Sequence, residues 1–173
     1  VEFVVDPNGN FYFLELNTRI QVEHTITEET TGIDLVREQL LVAAGAPLSF
    51  SQESIETRGH SIQLRINAED PGRSFAPVPG AITHLRLPLG PGVRVDSAAE
   101  PGFAVLPAYD SLIAKLVVTG RDRNETLARA RRALDEFQIE GVPSTVGFHR
   151  RVLDDPAFIA GGVTTRFLDE HPE

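Results

Sequence analysis

Nine residues near the start of the chain constrain it most. From Glu15 to Glu23, every second side chain is polar (Glu15, Asn17, Arg19, Gln21, Glu23), and the residues between are Leu, Thr, Ile and Val. Alternate residues of an extended segment share a face. The spacing therefore predicts a β-type segment with one face of carboxylates, amides and a guanidinium, and one face that is largely apolar. A half-buried edge strand shows the same alternation. The difference lies in the chemistry of the stripe, which puts metal-type and anion-type ligands side by side.

The residues upstream add weight to a site. Residues 1–5 and 11–16 both read as strands, and Asp6-Pro7-Asn8-Gly9-Asn10 separates them. Asn-Gly favours a two-residue hairpin turn, because both central positions need positive φ. With Asn8-Gly9 as that turn, opposed residue numbers sum to 17 and Glu2 faces Glu15. Like charges directly across a ladder are destabilising, and a cation between them removes the repulsion. Carboxylates with an amide oxygen are hard donors, suited to Mg²⁺ or Mn²⁺ rather than zinc.

Composition sets the outer limits. At 173 residues the chain can bury an ordinary core, as one domain or one domain plus part of another. The absence of cysteine excludes disulfides and thiol chemistry, and fits a reducing cytoplasmic setting. No apolar run reaches membrane-span length and no signal peptide is visible. A net charge of −9 argues against a general nucleic-acid surface, although Arg19, Arg65 and Arg94 can form local anion sites. The chain opens at Val1 within a strand-like run, which reads as a fragment of a longer polypeptide.

Further along, residues 33–44 read as a helix, with Ile33, Val36, Leu40 and Ala44 at helical spacing and Gly45 as its C′ residue. Residues 49–58 form a polar connector. Strand-like runs follow at 60–67, 81–87, 93–96 and 112–119, joined by Pro/Gly-rich loops. Asp122 and Glu125 resemble a capping box before a helix to about Phe137, with Leu127, Ala130, Leu134 and Phe137 on one stripe. A helix after Pro143 to about Leu153 and a short one near 166–170 complete the pattern. Antiparallel strands followed by helices indicate an α+β fold.

Three motifs carry a family resemblance. The run from Glu15 to His24, the run Gly59-His60-Ser61-Ile62-Gln63-Leu64-Arg65-Ile66-Asn67-Ala68-Glu69-Asp70-Pro71 and the run Tyr109-Asp110-Ser111-Leu112-Ile113-Ala114-Lys115-Leu116 resemble, in order and spacing, signature segments of biotin carboxylases. These are the ATP-grasp components of biotin-dependent carboxylases. Residues 121–158 look most like the α subunits of bacterial acyl-CoA carboxylases, and pyruvate carboxylase stays open. The resemblance implies that residues 1–50 end an ATP-grasp domain, as a β-hairpin plus helix. It implies that residues 51–173 are the biotin carboxylase C-terminal domain, an antiparallel sheet with packed helices. The family's glycine-rich lid, its phosphate-gripping lysines and its biotinylated carrier domain have no counterpart in the 173 residues, so the chain alone is expected to be inactive.

By the same resemblance, ATP phosphorylates bicarbonate to carboxyphosphate and the carboxyl group passes to N1 of biotin. Glu2, Glu15 and Asn17 match ligands of Mg²⁺ or Mn²⁺, and Glu2, Val4 and Glu15 match ATP contacts. Core packing is an equal reading for Val4. Arg19, Gln21 and the backbone N–H of Val22 match the bicarbonate site; the planar fork of Arg suits such an anion better than Lys. Glu23 matches the base, and Arg65 the group that stabilises the biotin enolate. Asp110 either orients a catalytic arginine or caps a loop; His24 reads as a positioning residue, and the other histidines as structural or solvated. The implied partners are a biotin carboxyl carrier domain, a second copy in a homodimer (with Pro91–Arg94 near that contact) and a carboxyltransferase subunit. Thr25-Ile26 stands where the family usually has Pro-Val, which removes no reacting group. Two rivals remain: a non-catalytic scaffold or dimerisation fragment, and another ATP-grasp ligase of the carbamoyl-phosphate synthetase type.

Overall fold

The computed structural model describes residues 1–171, so the last two residues of the expected C-terminal domain lie outside the described residues. The chain forms two compact units, Val1–Glu56 and a second from Thr57 onward.

The first unit opens with an antiparallel ribbon of β1 (Glu2–Val5) and β2 (Phe11–Glu15). Its turn corrects the expected two-residue loop. Asp6 N donates to Asn10 O at 2.9 Å and Gly9 N to Asp6 O at 3.0 Å, so three residues form the loop. Gly9 sits at φ +84°, where a side chain is strained. Hydrogen bonds from the Asn10 side chain and the Asn10 and Asn8 amides hold the Asp6 carboxyl below its ordinary pKa. A three-residue loop pairs Val5 with Phe11, Val4 with Tyr12 and Phe3 with Phe13. Continued unchanged, that register would set Glu2 against Leu14. Instead it shifts between Glu2 and Phe3, Leu14 is left over, and Glu2 pairs with Glu15. The expected pairing is thus present, but a bulge produces it. The bulge also sorts the faces, with Glu2, Val4, Tyr12 and Glu15 on one. Phe3 is on the other, its ring edge-on to Phe11 at 5.6 Å and Phe13 at 6.1 Å.

The predicted extended stripe from Glu15 to Glu23 is not a strand. β2 stops at Glu15, residues 16–23 run irregularly, and α1 (His24–Thr31) begins directly after Glu23. Helix α2 (Leu35–Ala43) is the expected helix, started two residues later than its apolar spacing suggests because the Asp34 carboxylate caps Arg37 N at 2.8 Å. Gly45 follows it at φ +89°, with its N–H on Val42 O and Ala46 N–H on Leu41 O.

Glu38 on α2 is buried, 5 % exposed, and accepts from Ser49 Oγ at 2.6 Å and Ser49 N at 3.1 Å. The Ser49 hydrogen bonds, aided by Arg37, hold its carboxyl below the ordinary value of 4.5. A depressed carboxylate pKa gives stability that is present above the unfolded-state value and is lost as pH falls through the folded-state value. Denaturant titrations from pH 6 down to pH 3 should therefore show the first unit weakening below about pH 4.5. Glu38→Gln should flatten that part of the profile, and an unchanged profile would remove Glu38 as its cause.

The second unit contains, in chain order, β3 (His60–Asn67), β4 (Glu69–Asp70), β5 (Ala76–Pro77), β6 (Gly80–Ala81), β7 (His84–Arg86), β8 (Val93–Ser97), β9 (Ala104–Val105), β10 (Leu112–Gly120), α3 (Arg123–Glu136), β11 (Gln138–Glu140), α4 (Val146–Val152), α5 (Pro156–Ala160) and α6 (Phe167–Glu170). Strands β3, β10 and β8 form a three-stranded antiparallel sheet with β10 central; the short strands pair as β4–β5, β6–β9 and β7–β11. The class is the expected α+β. The predicted strand 81–87 is split: β6 and β7 join different partners, and Ile82 between them is fully buried.

Helix α3 covers one face of the sheet. Its Leu127, Ala130, Ala133 and Leu134 join Leu64, Ile66, Leu116 and Val118 in the core, with Phe137 just beyond the helix. Asp122 caps Glu125 N at 2.9 Å; the return bond of the expected box goes from Arg121 N to Glu125 at 2.7 Å, one residue early. On the opposite face, Arg65, Lys115 and Asp96 stand in one row across the three strands. Asp96 accepts a two-pronged Arg94 contact at 2.8 and 2.9 Å and Lys115 at 3.3 Å. The Arg94 hydrogen bond leads in holding the Asp96 carboxyl below its usual range. Among the described residues no helix is long and apolar enough to cross a membrane.

Candidate active site

Glu2, Glu15, Asn17 and Gln21 form one cluster at the open end of the β1–β2 ribbon. Asn17 Nδ2 donates to Glu2 Oε1 at 2.8 Å and to Glu15 Oε1 at 3.0 Å, and Gln21 Nε2 donates to Glu2 Oε1 at 2.6 Å. The irregular path after Glu15 brings Asn17 and Gln21 back over the carboxylates, which a continued strand could not do. Four residues of a 20-residue span thus converge on one oxygen neighbourhood. Two carboxylates face each other here with neutral amides between them, so the cluster has an electrostatic need for positive charge. A half-turn of the Asn17 amide exchanges its nitrogen for its oxygen and leaves two carboxylate oxygens and an amide oxygen together. Such a set suits Mg²⁺ or Mn²⁺. Among the described residues there is no group of three or more His, Asp or Glu placed to hold a metal ion, so the Asn17 amide oxygen would have to complete the set.

Beside the cluster lies a cavity of about 670 Å³. Arg19, Gln21, Glu23 and His24 line its polar side, and α2 lines the other with Leu35, Gln39 and Val42. Glu23 sits at the N-terminal end of α1 with φ −81° and ψ 4°, so the helix start rather than a strand register aims it. Arg19 is exposed, and its Nη1 donates to Ile20 O at 3.1 Å. His24 Nδ1 lies 2.7 Å from Gln21 O, and its Nε2 lies 3.9 Å from Glu28, which ties the loop to α1. Val22 is half-buried; Val4 is 48 % exposed on the same ribbon face as Glu2. The wall from α2 was not legible as part of a site, because its apolar spacing reads equally as core packing.

Arg65 lies in the other unit, exposed on β3 with its cross-strand neighbour Lys115. Of the alternatives for Asp110, the loop cap is present: its Oδ1 accepts from Leu112 N at 2.8 Å. His149 Nε2 lies 2.8 Å from Arg65 O, and His171 pairs with Asp155 at 2.9 Å.

Comparison with known proteins finds related sequences and a related fold. The biotin carboxylase C-terminal domain family matches residues 63–170, and the ATP-binding domain of the carbamoyl-phosphate synthase L chain matches residues 1–51. Biotin carboxylase 1 of Bacillus subtilis is 50% identical over 172 residues, which is 99% of this chain and 38% of the relative. The biotin carboxylase of a Nostoc species is 49% identical over 170 residues, 98% of this chain and 38% of the relative. A crystal structure of the biotin carboxylase domain dimer of Hydrogenobacter thermophilus 2-oxoglutarate carboxylase, with MgADP, ADP and bicarbonate, superposes with a TM-score of 0.96. It is 47% identical, covering 98% of this chain and 38% of that one. The chain thus spans less than two-fifths of the length of these relatives. On the shared sequence, the shared fold and the match across most of its second unit, the chain belongs to the biotin carboxylase family.

Proposed function

We propose that the chain supplies part of the catalytic machinery of an ATP-dependent biotin carboxylase, and that residues 1–50 end its ATP-grasp domain while residues 51–173 form its C-terminal domain. The observation that carries the reading is the convergence of Glu2 and Glu15 on one Asn17 amide. With Mg²⁺ or Mn²⁺ bound by Glu2, Glu15 and Asn17, the charge of ATP phosphates beside these carboxylates is neutralised. Val4, on the same ribbon face, borders the nucleotide. Arg19, Gln21 and the Val22 N–H hold bicarbonate, and Glu23 takes its proton as a bicarbonate oxygen attacks the γ-phosphorus and ADP leaves. Carboxyphosphate then gives carbon dioxide and phosphate, the phosphate takes the N1 proton of biotin, and N1 bonds to the carbon. Arg65 stabilises the negative charge on the ureido oxygen of biotin. The carrier domain, a carboxyltransferase and a second copy of the chain complete the assembly, in the cytoplasm.

The match to the biotin carboxylase C-terminal domain over residues 63–170 favours this reading over another ATP-grasp ligase. The 173-residue chain alone is expected to show no bicarbonate-dependent ATP hydrolysis. Measurable turnover by the purified chain would contradict that. In the full-length polypeptide, Glu15→Gln should raise the Mn²⁺ concentration for half-maximal ATP turnover on the order of tenfold or more, since even supporting groups around a metal cost that much. An unchanged Mn²⁺ requirement would remove Glu15 from the metal site.

A further inference from the structure

We propose that Thr145 and His149 are positioning residues for Arg65: they grip its main chain from the free edge of the sheet and so fix where its guanidinium meets the substrate. The inference rests on the reading of Arg65 as an anion-stabilising group and deepens it.

Strand β3 is an edge strand, paired with β10 on one side only. Groups on such an edge ordinarily go to water. Here one residue takes them instead. Thr145 N donates to Asn67 O at 3.2 Å, Asn67 N donates to Thr145 Oγ1 at 3.0 Å, and Thr145 Oγ1 donates to Arg65 O at 2.9 Å. Thr145 thereby supplies the bonds of a miniature strand. One turn later, His149 Nε2 donates to the same Arg65 O at 2.8 Å. The Arg65 carbonyl has two acceptor positions, and these two donors match them.

The arrangement is made at a cost to α4. Thr145 is the N-cap residue of α4, where a threonine hydroxyl normally accepts from the first turn of its helix; it makes no such bond. Its hydroxyl serves β3 instead, and the residue is only 4 % exposed. The sheet itself needs the help. Lys115 pairs with Arg65 and Ala114 with Ile66, but Asn67 pairs with Leu112, so Ile113 interrupts the ladder just past Arg65. The central strand therefore holds this end of β3 less regularly, and the edge contacts hold it from the other side.

The gripping helix is itself braced. The Phe148 ring meets Phe75 edge-on at 4.8 Å, and Phe75 and the residue before it hold positive φ of 57° and 53° in the turn between β4 and β5. Burial pushes the His149 imidazole below its ordinary pKa, against the opposing pull of the Arg65 carbonyl and Glu69. The Arg65 carbonyl can only accept, so the hydrogen of this bond sits on His149 Nε2.

The test uses a full-length biotin carboxylase polypeptide carrying this chain, assayed for biotin carboxylation and for biotin-free, bicarbonate-dependent ATP cleavage. Thr145→Val keeps the side-chain shape and removes both hydroxyl bonds; Thr145→Ser restores them. His149→Leu removes a donor, and His149→Gln keeps one. Thr145→Val and His149→Leu should each lower kcat/KM for biotin about tenfold, given that a 1 Å misplacement can cost about a hundredfold. ATP cleavage should stay within about twofold, and Thr145→Ser and His149→Gln should recover most of the loss. Arg65→Ala is the control. Normal carboxylation by Thr145→Val and His149→Leu, with Arg65→Ala impaired, overturns the positioning role alone. Parallel loss of both activities with a lowered Tm overturns it as well, in favour of a structural role. Normal carboxylation by Arg65→Ala removes the anion role of Arg65 and this inference with it. If Thr145→Val does not fold, the His149→Leu and His149→Gln pair decides.

Discussion

Glu23→Ala in the full-length enzyme is expected to lower turnover by about 10²–10⁴-fold while ATP affinity stays nearly unchanged. In the proposed reaction bicarbonate loses its proton as its oxygen bonds to phosphorus, and a positioned carboxylate does this far better than water. Glu23 lines the same cavity as Arg19 and Gln21, which places a base beside the guanidinium and amide assigned to the anion. It is not among the groups bridged by Asn17, so its removal leaves the Asn17 bonds to Glu2 and Glu15 in place. Steady-state kinetics with a nucleotide-binding titration separate the two effects. Weakened nucleotide binding with chemistry preserved would assign Glu23 to the ATP site instead. Arg19→Lys serves as a companion: a point charge replaces a planar fork, so the bicarbonate KM should rise more than the ATP KM.

Leu116→Ala should cost about 2–5 kcal/mol of stability. Leu116 is fully buried on the central strand, opposite Leu64 on one side and Val95 on the other. Helix α3 closes over that face through Leu127, Ala130 and Leu134. Truncation leaves a cavity that neither neighbouring strand can fill without breaking its ladder. Denaturant unfolding of the chain measures it, and a loss under about 1 kcal/mol would show that the core collapses freely around the site. Leu40 on α2, which is 69 % exposed, should tolerate the same change with little loss of stability in the chain.

Much of the second unit was legible because its signals are local. The alternation of β3, the nine-residue β10, the Asp122 cap and the α3 stripe each follow from a period or a cap that a short window contains. Helix α1 was not legible: His24–Thr31 has no apolar stripe, and the alternation before it pointed to a strand instead. The short pairings β4–β5, β6–β9 and β7–β11 were hidden for another reason. Two- and three-residue strands carry no period, and only the chain returning past them creates the ladder.

The site divides in the same way. The sequence by itself determined the chemical inventory: Glu2, Glu15, Asn17, Arg19, Gln21 and Glu23 close together near its start, and Arg65 on a strand. It also determined that Glu2 and Glu15 would meet, although the turn it suggested was one residue too short. Only the tertiary structure decided how they meet. A bulge at Leu14 offsets a three-residue loop, and an irregular return brings Asn17 and Gln21 over the pair. The grip of Thr145 on Arg65 is of that second kind. It spans 80 residues of chain, and no local pattern specifies a bond between a helix cap and a distant strand edge. Composition and periodicity act within a few residues of the chain, whereas register, bulges and edge contacts are settled by packing across it.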